Sequence, residues 1–413
     1  MQILKISMYK AINIEKFIKK FVTKREESLL KTDLNNYDNN LKNKINDKSV
    51  MVIGGAGTIG SSYIKALLKF CPKKLIVIDT NENGLTELIR DLRSSNSYNL
   101  PDQLLTYPVS FSDKVFEKIF KSHGPFEIVA NFAAHKHVRS EKDIFSIEAM
   151  IENNVLKARQ LLDLLVKYPP EHFFCVSTDK AANPVNVMGA SKKLMEELIM
   201  SYSSKIPIKT ARFANVAFSN GSLPYGFIER LKKNQPWSCP LNIRRFFVSP
   251  EESGQLCLIA SILGESGDIF FPKLNEDIDM IPFDEIAKDL MAFIGMEIEY
   301  CDNEDEAKKK MNLLNDKSQK HPVFFFNTNT SGEKTYEEFY TKNESVDLDS
   351  FSNLGVIKNS LKRDLTEIDT IFKKLSNLFE QNNYDKSDVV NILKSFLPNF
   401  EHIETGKNLD QKM

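Results

Sequence analysis

From residue 48 onward the chain alternates short, continuously apolar runs with longer amphipathic stretches. "SVMVIG", "KKLIVID", "FEIVANFAA", "EHFFCVST" and "PIKTARFANV" read as buried strands, and "TIGSSYIKALLKFC" and "NGLTELIRDLRSS" as helices. Strands that are apolar at every position are covered on both faces, so the alternation predicts an α/β fold with a Rossmann-type, doubly wound parallel sheet. That domain is expected over residues 48–217. From "SNGSLPYGF" the pattern loosens into turns, phenylalanines and acidic stretches such as "NEDEAKKK". This predicts a second, smaller mixed α/β domain over 218–345, partly interleaved with the first. Helical periodicity in "SLKRDLTEIDTIFKKLSNLFEQ" and "DVVNILKSFL" predicts a helical tail over 346–413. Residues 1–47 are polar and predict a helical extension, in which Ile12, Ile14, Phe17, Ile18 and Phe21 accompany a run of basic residues. Such a helix ordinarily packs on its own chain; a membrane surface or another subunit is the other reading.

A chain of 413 residues can hold two domains and a sizeable core. Its net charge of −1 argues against nucleic acid as a main partner. No apolar run approaches the roughly 20 residues that span a bilayer, and no secretory signal pattern opens the chain. No transmembrane segment and a cytoplasmic location are therefore expected. The five cysteines form no CxxC pair, and each is expected to be a small buried hydrophobe with a free thiol. The six histidines are scattered, so no metal site is proposed.

"VMVIGGAGTIGSSY" places a glycine-rich turn between a strand and a helix. Gly54, Gly57 and Gly60 permit a tight turn, close approach of backbone to a pyrophosphate, and close packing of helix on strand. The helix start at Thr58, Ile59 and Gly60 offers N–H groups and a positive dipole end to phosphates. Asp79 ends the second strand 19 residues after Gly60, where a carboxylate bonds ribose hydroxyls and repels a 2′-phosphate. NAD is the cofactor this arrangement predicts. Ala133 and Ala134 in "NFAAHKH" fit the fourth strand's end, where small side chains let a cofactor pass.

"STDKAANPVNVMGASKK", residues 177–193, raises a question of chemistry. Many nicotinamide enzymes keep a tyrosine four residues before a lysine; here the lysine is Lys192 and the earlier position is Met188, which carries no proton. Asp179 and Lys180 instead sit directly after the strand "FFCVST", at the strand end where open α/β sheets bind ligands.

Together with "GGAGTIGS", "AAHKHV", "RFANVAFSNGSLP", "RRFFVSPEES" and "SGEKTYEEF", this stretch resembles the extended short-chain dehydrogenase/reductase superfamily over residues 50–340. Within it the chain is similar to the soluble UDP-N-acetylglucosamine 4,6-dehydratases of the CapD-like polysaccharide-biosynthesis group. The resemblance implies an internal redox cycle on a UDP-sugar: oxidation at C4, loss of water across C5 and C6, and return of hydride to C6. By the same resemblance Asp179 is the general acid, Lys180 the C5 base, Thr178 a hydrogen-bond partner of O4, and Lys192 the contact to the nicotinamide ribose. For Lys180 to act as a base it must be substantially neutral; desolvation, Lys192 and the cofactor's charge favour that, and Asp179 opposes it. Met188 resembles the methionine of one branch of the group and is expected to wall the nicotinamide or sugar. The O4 proton would then pass to Asp179 or to a water near Thr178. A homo-oligomer is also implied.

Asn215, Ser219, Gly221 and Ser222 match the segment that approaches nucleotide and sugar in that group. Lys136 and His137 would lie beside the sugar, and Arg245, with Arg244 as the alternative, would contact phosphate. Two departures stand out. "TSGEK" has Thr330 where the group has an arginine, although Glu333 can still bond the uridine ribose. Ser110 stands where an acid usually precedes the adenine contact, with Phe111 following. A nucleotide-sugar 4-epimerase and a non-catalytic NAD-binding regulatory protein remain as alternatives. The epimerase normally relies on the missing tyrosine, and a binding module would need only the glycine turn and Asp79.

Overall fold

A computed structural model describes residues 12–137, 141–315, 318–327 and 337–404. The first six strands are β1 (Ser49–Ile53), β2 (Lys74–Asp79), β3 (Gln103–Pro108), β4 (Ile128–Asn131), β5 (His172–Val176) and β6 (Ile208–Ala211). There follow β7 (Asn215–Val216), β8 (Trp237–Pro240), β9 (Arg244–Val248), β10 (Ile269–Pro272), β11 (Met280–Pro282), β12 (Glu297–Cys301), β13 (Lys320–Phe326), β14 (Ser345–Asp347) and β15 (Leu354–Lys358). Nine of them form one sheet in the order β14-β15-β10-β6-β5-β4-β1-β2-β3. Pairing is parallel from β3 through β10, and antiparallel where β15 and β14 complete the edge. Small sheets β11-β9-β7 and β12-β13-β8 make up the second unit.

The continuous apolar strands are explained by two cores. On one face, helices Lys114–His123, Lys157–Lys167 and Val187–Ser201 bury Phe116, Leu161, Leu165 and Leu198. On the other, helices Thr58–Leu67, Glu82–Ser94 and Pro250–Leu263 bury Ile64, Leu88 and Ile259. The sheet thus draws on chain well beyond residue 217, through β10 and β15. The stretch after residue 346 also begins as strand: the apolar "GVI" of β15 pairs with β10, and helix resumes only at Leu365.

Both chain extensions pack on their own molecule. Helix Ile14–Phe17 runs on as a π-helical turn, Ile18–Val22, and buries Phe17, Ile18 and Val22 against Phe227, Trp237 and Leu290. Arg25 then forks to Glu252 at 3.0 Å and Asp279 at 2.9 Å. The apolar stripe of the N-terminal segment is therefore covered by the second unit. At the other end, helices Leu365–Phe379 and Lys386–Phe396 close a fourth core over helices Ile144–Ile151 and Val187–Ser201. Among the described residues, no helix is long and apolar enough to cross a membrane. All five cysteines are free; four are buried, but Cys71, which ends its helix in a left-handed conformation, φ 52°, is exposed.

A charged clamp fixes the sheet's functional end. Arg212, directly after β6, is 0% exposed and donates to both carboxylate oxygens of Glu196 and both of Glu344. It also donates to the Phe339 carbonyl, and Ser177 donates to Glu196 at 2.6 Å. Burial works to raise the Glu196 carboxyl, but Arg212, Lys193 and Ser177 overcome it and hold it at about 2. A carboxyl depressed in this way contributes stability that is present in full above its ordinary value of 4.5 and is lost as pH falls through about 2. Arg212→Met strands Glu196 without a counter-ion and is expected to cost roughly 3–5 kcal/mol in urea denaturation. A loss below about 1 kcal/mol would contradict the clamp's role.

Candidate active site

The glycine turn closes β1. Gly54 adopts φ +76°, and a Cβ there would lie 2.5 Å from the Ala133 nitrogen. A Cβ on Gly60 would lie 2.2 Å from the Gly54 carbonyl oxygen. These two glycines are required by the protein's own backbone. Gly57 differs: it is exposed, its φ is −72°, and its nearest contact would be an ordinary 3.4 Å. It caps helix Thr58–Leu67 and keeps an open approach to that helix's N–H groups. The residues therefore fit a phosphate group at the turn. Asp79 steadies the turn by accepting from Ala56 N–H through Oδ2 and from Asn81 N–H through Oδ1, both at 2.9 Å. Carboxylate oxygens each have a second lone pair, which leaves Asp79 capacity for ribose hydroxyls. Thr58 Oγ1 accepts from Asn220 N–H at 3.1 Å, which ties the turn to the Ser219–Ser222 segment, and Ile59 packs between the two cores.

Ser110 opens a small turn with Ser112 and Asp113, and the Phe111 side chain is buried in the first core beside Phe116. Only the backbone at Phe111 is left for a ligand. Ala133 and Ala134 are half-buried, and Ala133 lies beside Gly54. Asn154, in a π-helical turn, grips the next residue of that loop by accepting from His135 N–H at 2.8 Å and donating to its carbonyl at 2.9 Å. Lys136 is exposed and His137 half-buried.

The reactive pair stands at the end of β5. Asp179 Oδ1 accepts from Thr178 Oγ1 at 2.8 Å, Lys180 N–H at 2.9 Å and Lys180 Nζ at 3.0 Å. Its other oxygen, Oδ2, has no partner among the described residues, although Asp179 is only 3% exposed. A buried carboxylate oxygen left bare is costly, so this one marks a place where a ligand's donor belongs. The charge state of Lys180 departs from the sequence expectation. Burial alone favours the neutral amine, yet Asp179 and Glu337 outweigh burial and Arg245, and the pKa is raised. Without ligand, the resting pair is an ion pair.

Lys192 is 4% exposed and donates to the Val176 carbonyl at 2.7 Å and to Met195 Sδ at 3.3 Å. Burial lowers its pKa. Met188 is not an open wall: it is 2% exposed within the fourth core, with Ile371, Leu375 and Val390 of the C-terminal helices. Its backbone N–H donates to Glu141. Arg245 rather than Arg244 faces the pair; it is 6% exposed, whereas Arg244 points outward and donates to the Glu276 carbonyl. Asn215 donates weakly to the Phe246 carbonyl at 3.4 Å, Ser219 is buried, Gly221 takes φ +75°, and Ser222 caps helix Leu223–Lys232. Thr330 and Glu333 lie outside the described residues.

Glu337 is the neighbour that sequence reasoning missed: its Oε1 is 3.7 Å from Lys180 Nζ. The quoted stretch "SGEKTYEEF" contained it, but nothing in its spacing points to β5. Among the described residues no cluster of His, Cys, Asp or Glu could hold a metal ion.

The sheet, the glycine turn and the β5 pair define a Rossmann-type protein of the extended short-chain dehydrogenase/reductase group. More narrowly, the chain belongs to the polysaccharide biosynthesis protein family, which it matches over residues 50–359. It is 33% identical over 258 residues to the uncharacterized membrane protein MJ1061 of Methanocaldococcus jannaschii, covering 60% of this chain and 74% of that one. It is 26% identical to the capsular polysaccharide biosynthesis protein CapD of Staphylococcus aureus, over 83% of this chain and 53% of that one. The inverting UDP-N-acetylglucosamine 4,6-dehydratase of Campylobacter jejuni serotype O:2 is 27% identical over 55% of this chain and 68% of its own. The chain thus spans only about half the length of CapD. Among solved structures, Pen from Bacillus thuringiensis aligns with TM-score 0.62 and 22% identity, over 78% of this chain and 91% of that one, which is a likeness of fold.

The three glycines separate by experiment. Gly54→Ala and Gly60→Ala should destabilise the folded chain without any ligand, by about 1–3 kcal/mol for the strained turn alone. Gly57→Ala should melt like the wild type yet bind NAD+ at least about tenfold more weakly in calorimetry. Equal NAD+ affinity in Gly57→Ala and the wild type would remove the phosphate from this turn.

Proposed function

We propose that the protein is an NAD-dependent nucleotide-sugar 4,6-dehydratase acting on UDP-N-acetylglucosamine or a close relative. The observation that carries this reading is the bare, buried Oδ2 of Asp179 beside the Lys180 amine at the end of β5. Loss of water across C5 and C6 needs an acid and a base side by side, and a 4-epimerase has no use for that pair. A nicotinamide cofactor at the glycine turn would accept hydride from sugar C4 and return it to C6.

The chain's own residues supply the proton chemistry. Transfer of one proton from Lys180 to Asp179, across 3.0 Å, turns the resting ion pair into a neutral amine and a neutral acid. The amine takes the C5 proton and gives it back to C5 as hydride reaches C6, and Asp179 gives its proton to the departing C6 hydroxyl. Thr178 already donates to Asp179 Oδ1, so the O4 proton, released while Asp179 is still protonated, passes to a water near Thr178 and reloads the acid after the C6 hydroxyl has left. Lys192, held under β5, adds positive charge near the developing oxyanion. Met188 takes no part in proton transfer and serves the fourth core.

Incubated with UDP-N-acetylglucosamine and NAD+ in D2O, the protein should yield a 4-keto-6-deoxy sugar, detected by NMR. Lys180→Ala should lower its formation by about 10²–10⁴-fold with NAD+ affinity unchanged. Undiminished turnover would remove Lys180 from the chemistry. Met188→Ala should instead cost about 2–5 kcal/mol of stability in denaturant titration while the folded fraction keeps its turnover.

A further inference from the structure

Lys180 lies between two carboxylates, and the chemistry above employs only one. Its Nζ is 3.0 Å from Asp179 Oδ1 and 3.7 Å from Glu337 Oε1. Both acid side chains are nearly sealed, 3% and 6% exposed, against 17% for Lys180. Glu337 does not arrive there by chance of sequence, since 157 positions separate it from Lys180. The residue after it, Glu338, accepts from Asn183 at 2.7 Å, and Asn183 follows Lys180 by three positions. The next, Phe339, accepts from the buried Arg212. Glu337 is therefore delivered by two anchored neighbours, one tied to the loop after β5 and one to the end of β6.

An acid that donates its proton must change charge during the reaction. Once the amine has taken the C5 proton, and until Asp179 has given up its own, a neutral Asp179 as sole counter-ion would leave a buried ammonium uncompensated. A second carboxylate removes that conflict. We propose that Glu337 is a positioning residue for the dehydration: it holds the Lys180 amine as a second carboxylate beside the chemistry's acid and sets when that amine releases its proton. Asp179 is then free to change charge without stranding a cation. The catalytic meaning rests on the dehydratase reading, but the electrostatic part exists in the protein without substrate.

The groups facing the amine are Asp179 on its own turn, Glu337, and Arg245 from β9. Burial and Arg245 favour the neutral amine, while the two carboxylates favour the ammonium and prevail. Removing the Glu337 charge must therefore lower the pH at which Lys180 becomes neutral.

The full chain, Glu337→Gln and Glu337→Asp are labelled with trace acetic anhydride across a pH series, and Lys180 modification is read by mass spectrometry. In Glu337→Gln the midpoint is expected to fall by at least about one pH unit, a tenfold gain in neutral amine at a given pH. Glu337→Asp should stay near the wild type. An unchanged midpoint in Glu337→Gln that melts like the wild type overturns the proposal. With NAD+ and UDP-N-acetylglucosamine, the acidic limb of kcat/KM should move to lower pH by the same amount. A limb that stays in place while kcat falls overturns the positioning role. A wild type without turnover overturns the dehydratase reading instead, and the labelling arm still decides the charge on Lys180.

Discussion

The buried Arg212–Glu196 pair is the interaction on which the reactive end of the sheet depends. An uncompensated charge at 0% exposure is untenable, so the guanidinium must be met on every side. Glu196 meets it from helix Val187–Ser201, Glu344 and the Phe339 carbonyl from the segment before β14. Ser177, which leads into Thr178 and Asp179, bonds to the same Glu196. One cation thereby sets the distance between the β5 end, the helix bearing Lys192, and the strand of chain bearing Glu337. Apolar packing locates these elements to within the thickness of a side chain; the fork of hydrogen bonds fixes their register.

The rest of the architecture serves that end of the sheet. Parallel strands place all their C-terminal ends together, which brings Gly54, Asp79, Ala133 and Asp179 to one rim. The small sheet with β9 brings Arg245 towards Lys180 from the second unit. The N-terminal segment backs that unit through Phe17 and Arg25, and the C-terminal helices back Val187–Ser201 through Leu375 and Val390. Among the described residues, neither extension contributes an acid or a base to the pair itself.

The main strands were legible because each is apolar at nearly every position and bounded by turn residues. The glycine turn and Asp79 were legible because their chemistry needs fixed spacing along one short stretch. Asp179 and Lys180 were readable as neighbours, but not the charge on the amine, since that depends on Glu337. Arg212 has partners 16 and 132 residues away, and no local pattern announces such a link. β14 and β15 escaped because they are short, and their strand character comes from pairing with β10 rather than from their own periodicity. Met188 was read from its position relative to Lys192, whereas its surroundings are decided by helices that begin nearly 180 residues later.

That last contact bears on how the molecule comes into being. Met188, Val187 and Leu194 lie on a helix whose outer apolar side is covered by Ile371, Leu375 and Leu393. During synthesis the sheet through β6 can assemble well before those residues leave the ribosome. Until they do, the helix that holds Lys192 presents bare hydrocarbon to the cell. The β5 rim likewise waits for Glu344 before Arg212 has its full set of acceptors. The order of translation thus delays the finished reactive pair until the chain has been made at least as far as Glu344, and a chain interrupted before it would carry the cofactor turn without a completed site.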